Sequence, residues 1–411
     1  MRMRIAVYHN LHSGGALRTL TEQVRRLSAR HDLSLFALAT AAPVETEGVK
    51  ARVFPFHPGP ELRRPFGRLN RAARAADLIR LARVNRAVAR AIDGGGFDVV
   101  LVHPCQFSQA PSLLQHLRTP SVYYCHEPPR RLYEPPIPRP YLRRSSLRGV
   151  LDRVDPALRF HRALLRRIDR GATRAATRVL VNSRFTQANV RRIYGVAAHV
   201  CRHGVDADRF RPLGLRRDRF VLSVGALTPY KGFDLLIEGL GRLPEAARPP
   251  LRLICNYVEP QERAYLENLA QERGVSLEIE VGVSDENLIR AYNRAALVAY
   301  TPHREPLGLV PLEAMACETP VVGVDEGGVQ ETILHGRTGL RVPRDPHALA
   351  EAIGDLLEYP ERARAMGQAG RRWVLDAWDW EGAVQGLVAH LEEAARTQNT
   401  ERRTQNAERE T

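Results

Sequence analysis

At 411 residues the chain is too long for one ordinary core, and its 44% apolar content suits a soluble globular protein of two or three domains with no run able to span a bilayer. The formal net charge of +15 comes from arginine: Lys50 and Lys231 are the only lysines among 61 basic residues. A compositional bias explains the charge, and it singles out Lys231 as a place where a compact ammonium is preferred to a planar fork. Cys105, Cys125, Cys201, Cys255 and Cys317 are odd in number and widely spaced. That pattern fits reduced, buried thiols in a cytoplasmic protein, without metal-ligand spacing. The start, MRMRIAVYHN, runs straight into an apolar alternation without the h-region or cleavage site of a signal peptide.

In chain order, residues 4–8 read as a buried strand, His9–Gly15 as a loop ending Ser13-Gly14-Gly15, residues 16–30 as a helix and residues 33–40 as the next strand. This unit is similar to a phosphate-cradling turn but lacks the full G-x-G-x-x-G pattern, so Gly14 and Gly15 are weak evidence alone. Residues 61–90 carry nine arginines against Glu61 and Asp77, with Leu78, Leu81, Val84 and Val88 as an apolar stripe. One or two amphipathic helices are expected, presenting either a solvated face or a surface for anionic headgroups. Nucleic acid is disfavoured, because Phe66 is the one aromatic residue among these arginines.

Residues 98–103 and 121–125 are apolar strands ending at His103 and His126, where a parallel sheet presents its ligand-binding carboxyl edge. The Pro- and Arg-rich span 127–148 reads as an irregular loop, residues 159–175 as a helix, and Ser183 as the cap of a helix over 184–194. After a polar stretch at 211–218 a second alternation begins, with strands at 220–224, 251–256, 277–281 and 297–300 and helices at 233–243, 261–273 and 285–294. Two α/β domains are expected, 1–210 and 218–375. A helical region near 373–395 follows, then a disordered tail at 396–411 containing the near-duplicate RTQNTER and RTQNAER.

The stretch from Tyr300 to Gly323 concentrates the chemistry. Pro306, Gly308 and Pro311 break any continuous helix, which leaves Glu305 in a loop and Pro311 in the first turn of a short helix carrying Glu313. A helix start suits a phosphate. Two acids beside an anion site must then hold something else, and sugar hydroxyls are the obvious candidates.

On these residues the chain resembles a family-4 retaining glycosyltransferase of the GT-B fold, from Arg4 to about Leu391, similar to bacterial polysaccharide mannosyltransferases. Six segments carry the likeness in order: Gly14-Gly15-Ala16, YCHEPPRRLYEP around His126, Asn182-Ser183 with Gly204-Val205-Asp206, VGALTPYKGFDLLIEGL, REPLGLVPLEAMACETPVV, and Gly327-Gly328 with Glu331. The resemblance implies two facing Rossmann-like doubly wound domains, with a C-terminal helix (376–395) crossing back to complete the first. It implies a GDP- or UDP-linked sugar donor on the second domain, a saccharide or lipid-linked acceptor on the first, no metal and no other cofactor, and possible peripheral contact with an anionic membrane.

By the same resemblance, Glu313 binds the ribose hydroxyls, Glu305 faces the donor sugar, and Gly308, Leu309 and Val310 form the donor-binding turn. Lys231 neutralises the diphosphate, and His126 lies near the reacting centre. One departure stands out. Ala226 occupies the place of an arginine that many members pair with the lysine, so half of that clamp is unassigned, with Arg304 or an N-terminal arginine as candidates. Base selection is expected from loop backbone near Asn256 and residues 281–284. A nucleotide-sugar epimerase of the same architecture and a catalytically silent sugar- or membrane-binding protein are the alternatives.

Overall fold

The computed structural model describes residues 2–44, 48–60, 69–142 and 155–410. Near-continuous apolar runs become the centres of two sheets whose paired strands are all parallel, because strands covered by helices on both faces must be apolar throughout. The first sheet contains β1 (Arg4–Asn10), β2 (Asp32–Leu38), β3 (Lys50–Phe54), β4 (Val99–Cys105), β5 (Ser121–Cys125), β6 (Arg178–Val181) and β7 (His199–Val200), in the order β3-β2-β1-β4-β5-β6-β7. Every residue of β4 and β5 is buried. Around this sheet run α1 (Gly15–Ser28), α2 (Leu69–Asp93), α3 (Arg130–Tyr133), α4 (Pro156–Ala175) and α5 (Arg184–Tyr194).

The second sheet contains β8 (Val221–Val224), β9 (Leu251–Cys255), β10 (Leu277–Val281), β11 (Leu297–Tyr300), β12 (Val321–Val324) and β13 (Gly339–Val342), in the order β10-β9-β8-β11-β12-β13. Its helices are α6 (Phe233–Gly241), α7 (Pro260–Glu272), α8 (Asp285–Arg294), α9 (Leu309–Ala316), α10 (Val329–Thr332), α11 (Pro346–Glu358) and α12 (Pro360–Ala377), followed by α13 (Trp380–Glu410). In both sheets the strand order reverses beside the first strand, between β1 and β4 and between β8 and β11. Loops leaving the carboxyl ends of two such neighbours diverge and leave a crevice for a ligand.

The chain forms two compact units: Met1–Pro136, Arg144–Cys201 and Val384–Thr411 make the first, and Ile137–Arg143 with Arg202–Ala383 make the second. The sequence suggests a division at 210–218; the observed one falls at Cys201–Arg202. The reason is local bonding. The Val205 amide donates to the Trp378 carbonyl, and the Arg217 guanidinium donates to the carbonyls of Ala295, Cys317 and Glu318. The stretch expected to link the domains is therefore packed into the second unit.

Other expectations shift in similar ways. The described part of the basic segment is one helix, α2, and its first residues, 61–68, lie outside the described residues, as do 143–148 of the expected loop. Helix α4 starts earlier than the periodicity suggests, because Asp155 caps it by accepting from the Ala157 and Leu158 amides. Ser183 caps α5 as expected, accepting from the Thr186 amide. The terminal helical region is broken between Ala377 and Trp380. Val384, Leu387, Leu391 and Ala394 form the buried stripe of α13, and Arg178 on β6 reaches Glu393 at 2.7 Å and His390 Nδ1 at 3.0 Å. The backbone of α13 stays helical to Glu410, across residues expected to be a disordered tail. The Gln, Glu, Arg and Ala of that stretch are good helix formers. Among the described residues no helix is long and apolar enough to cross a membrane, and all five cysteines are buried thiols.

Candidate functional site

In the second unit, the loops after β8 and β11 meet beside the strand-order reversal. The β8 loop closes through a turn at Pro229–Lys231, ended by Gly232 in the left-handed conformation (φ 63°). Only glycine fits there, since a Cβ would stand 2.2 Å from the Thr301 carbonyl oxygen. The Thr301 hydroxyl donates to the carbonyls of Lys231 (3.2 Å) and Gly232 (2.9 Å), and the His303 amide donates to the Tyr230 carbonyl (2.8 Å). The Lys231 stem lies across Gly225, and its Nζ reaches both Glu305 oxygens, at 3.1 and 3.0 Å. Two residues 74 positions apart are thus joined, both about four-fifths buried.

The Glu305 loop is seated on the one after β12. Gly328 donates its amide to the Glu305 carbonyl at 2.7 Å. A Cβ on Gly327 would meet that carbonyl oxygen at 2.4 Å, and one on Gly328 would meet the Pro306 carbonyl oxygen at 2.2 Å. The Gly327-Gly328 pair therefore serves backbone approach. Arg304, the candidate for the missing half of the clamp, has φ 44°, and its amide donates to Glu326 at 3.3 Å. The Arg344 guanidinium grips Glu326 at 2.8 and 2.9 Å and the carbonyls of Thr301 and Pro302. Although burial pushes the Glu326 carboxyl up, the Arg344 hydrogen bonds prevail and hold it below its ordinary value. Glu331 accepts from Arg202 at 3.4 Å.

Gly308 (φ 95°) turns the chain into α9, where Leu309 and Val310 supply the first amides and Pro311, in the first turn, needs none. Glu313 points inward: it is 5% exposed, and the hydroxyl of the fully buried Tyr292 donates to its Oε2 at 2.8 Å. Lys231, Glu305, Gly308, Leu309, Val310 and Glu313 are all in this unit.

Gly14, Gly15 and His126 belong to the first unit. Gly14 (φ 150°) precedes α1, and a Cβ there would meet nothing within 4 Å, so the turn needs glycine for its torsion and leaves open space in front. His126 follows β5, with its Nε2 3.3 Å from Nδ1 of the fully buried His103 and its ring 4.9 Å from that of Tyr124. His103 Nε2 is buried without a hydrogen-bond partner. An orphaned lone pair costs less than an orphaned N–H, so the proton belongs on His103 Nδ1, which donates to His126. Burial, then the neighbouring His126 and His9, keep His103 neutral well below its ordinary value. Burial also lowers His9 to about 4.

Sequence reasoning placed the polar groups but missed their holders. Tyr292, Thr301 and Arg139 carry no motif signal, since each acts across a long sequence separation. Arg139 lies within a run expected to be an irregular loop, and it is 6% exposed in the second unit.

The arrangement combines one cation, two acids and a helix start, which can hold a diphosphate and hydroxyl-bearing sugars. Comparison with known proteins points the same way. The family described as "Glycosyltransferase Family 4" matches residues 13–209, and "Glycosyl transferases group 1" matches residues 206–373. The chain is 37% identical over 229 residues to the GDP-mannose-dependent alpha-(1-6)-phosphatidylinositol monomannoside mannosyltransferase of Mycolicibacterium smegmatis, covering 48% of this chain and 57% of that protein. It is 33% identical to the Mycobacterium tuberculosis protein of the same name, covering 57% and 66%. The matched stretch thus spans between about half and two-thirds of these relatives. The fold matches a sucrose-phosphate synthase from Thermosynechococcus elongatus (TM-score 0.72, 22% identity, 95% of this chain and 99% of that one). It also matches Anabaena HepE in complex with UDP-glucose (TM-score 0.66, 20% identity, 95% and 100%).

Proposed function

The chain belongs to the family-4 glycosyltransferases, and from that premise we propose that it moves a hexose, mannose foremost, from a GDP- or UDP-linked donor to a saccharide or lipid-linked glycan. The observation that carries this reading is the Lys231–Glu305 pair beside the amide-bearing start of α9, with Glu313 one turn further on. Cleavage of the sugar–phosphate bond develops positive charge at the anomeric carbon and negative charge on the departing diphosphate. Lys231 and the Leu309 and Val310 amides are assigned to that diphosphate, where they stabilise the transition state more than the ground state. Glu305 then turns from the ammonium to the sugar hydroxyls, and Glu313 accepts from the ribose.

The transfer is proposed to retain configuration without a metal. The acceptor oxygen attacks the face the diphosphate leaves and gives its proton to a leaving phosphate oxygen, so no enzyme nucleophile is needed. His126 and the Gly14-Gly15 turn are the first unit's assigned contributions. The test is a panel of nucleotide sugars assayed by thermal shift and by transfer to glycan acceptors. A GDP- or UDP-sugar that stabilises the protein and is consumed only when acceptor is present supports the reading. A blank panel in both assays overturns it, and consumption without acceptor favours the epimerase.

Peripheral membrane contact is proposed through α2, whose Arg80, Arg83, Arg86 and Arg90 are exposed, beside α4 with Phe160 59% exposed. Flotation with anionic vesicles at low salt that is lost at high salt supports it. Equal flotation with neutral vesicles overturns it.

A further inference from the structure

One guanidinium holds both ends of the turn that carries Lys231. Arg139 Nη2 donates to the Pro229 carbonyl at 3.2 Å, and Nη1 and Nη2 donate to the Asp234 carboxylate at 2.9 and 3.1 Å. Pro229 opens the turn and Asp234 lies in the first turn of α6, so Tyr230, Lys231 and Gly232 are strung between two fixed points. From the other side Nε and Nη2 bind Glu262, which is fully buried and also accepts from the Tyr141 hydroxyl. The Tyr265 ring lies 5.4 Å beneath the guanidinium.

A buried cluster of one cation and two carboxylates contributes little net stability, because desolvation offsets the attraction; what such a cluster supplies is a fixed geometry. Arginine suits the position because a rigid fork can bind two carboxylates and a carbonyl at once, which an ammonium cannot. What this fork fixes is the backbone on either side of Lys231. The opposite flank is fastened by Thr301 and His303, and Arg139 adds a hold on the other side.

We propose that Arg139 is a positioning residue for Lys231: it fixes where the ammonium stands, and binding of the donor's diphosphate depends on it. The proposal rests on the function proposed above. It places the residue that sets the diphosphate site in the first half of the sequence, within a short run that packs with the second unit.

The experiment is a double-mutant cycle read by calorimetry, with GDP and UDP as probes. Arg139→Met weakens the bound nucleoside diphosphate about ten-fold when Lys231 is present and adds no further loss in a Lys231→Ala background, because two residues acting through one contact are not additive. Arg139→Lys, which keeps a charge against the two acids, gives a smaller loss with the same non-additivity, and it carries the test if the Met variant does not fold. Equal losses in both backgrounds, or affinity unchanged by either Arg139 variant, overturn the proposal while leaving the functional reading intact. Wild-type protein that binds neither GDP nor UDP overturns both.

Discussion

Lys231 and Glu305 neutralise each other across the meeting of two loops, the ammonium standing 3.1 and 3.0 Å from the two carboxylate oxygens. The lysine proposed for a diphosphate thus has a partner that offsets the cost of its partial burial. A donor would exchange this pair for two others, ammonium to phosphate and carboxylate to hydroxyl.

Lys231→Ala should therefore lower the transfer rate by about 10²–10³ and lower the thermal midpoint as well, since it takes the ammonium away from a Glu305 carboxylate that stays largely buried. Lys231→Arg should restore only part of the rate, because a guanidinium spreads its charge over a plane where a point charge fits. Steady-state turnover with the donor identified in the panel measures both, and a Lys231→Ala rate within threefold of wild type would remove Lys231 from its assigned role.

Gly328→Ala should destabilise the protein and weaken donor binding together. The added methyl would sit 2.2 Å from the Pro306 carbonyl oxygen and 2.6 Å from the Leu307 Cα, both backbone atoms with no rotamer to yield. Overpacking of this kind costs about 1–3 kcal/mol, and relief requires moving the loop that carries Glu305. Gly386→Ala is the control: it is an exposed position on α13 with nothing within 4 Å, and alanine there should be neutral or stabilise by up to ~1 kcal/mol. Chemical denaturation compares the two.

Tyr292→Phe should cost roughly 1–3 kcal/mol, because it removes a donor from the buried Glu313 carboxylate. It should also weaken binding of the nucleoside portion of the ligand, for which Glu313 is the assigned contact. Free nucleoside and nucleoside diphosphate should lose affinity by similar factors, which separates this variant from Lys231→Ala.

The pH dependence of stability has a calculable sign. Burial lowers His9, His203 and His303 to about 4, and His103 well below its ordinary value of 6.5. Below 6.5 the unfolded chain takes up protons that the folded chain refuses, so stability falls as pH drops from 6.5 toward 4. Asp169 acts in the opposite sense. Burial raises it to about 6, against hydrogen bonds from the Tyr133 and Tyr194 hydroxyls, so between pH 6 and 4 the folded state holds a proton that the unfolded state has shed. Its contribution is present at low pH and lost as pH rises through 6, a partial offset to the histidines. Thermal midpoints should fall on acidification below pH 6.5, and Asp169→Asn should steepen the fall between pH 6 and 4.

How much of this was legible in the sequence follows from the range of each interaction. The Tyr300–Gly323 stretch could be read because Pro306 and Pro311 restrict the backbone locally while Gly308 permits a turn, and the resulting loop and helix are present. Ser183 was readable as a cap for the same reason. Strands β3 and β13 gave little signal, being short edge strands with exposed or polar positions. The Gly327-Gly328 pair carried a motif, yet its role as a seat for the Glu305 backbone depends on a loop about 20 residues away. Arg139 lies 95 residues from Asp234 and 123 from Glu262, and in a chain this rich in arginine nothing local distinguishes it from its neighbours.

The placement of residues 137–143 bears on how the protein can be recombined. A C-terminal half excised at Arg202 would lack Arg139 and Tyr141, leaving Glu262 buried with its cation and its phenol donor removed. A hybrid that joins the first half of another protein to this second half is sure of these contacts only if the run from Ile137 to Arg143 comes from the parent that supplies Asp234 and Glu262. The crossover that respects the packing is thus a double one, in which a seven-residue patch from the front of the gene travels with its back.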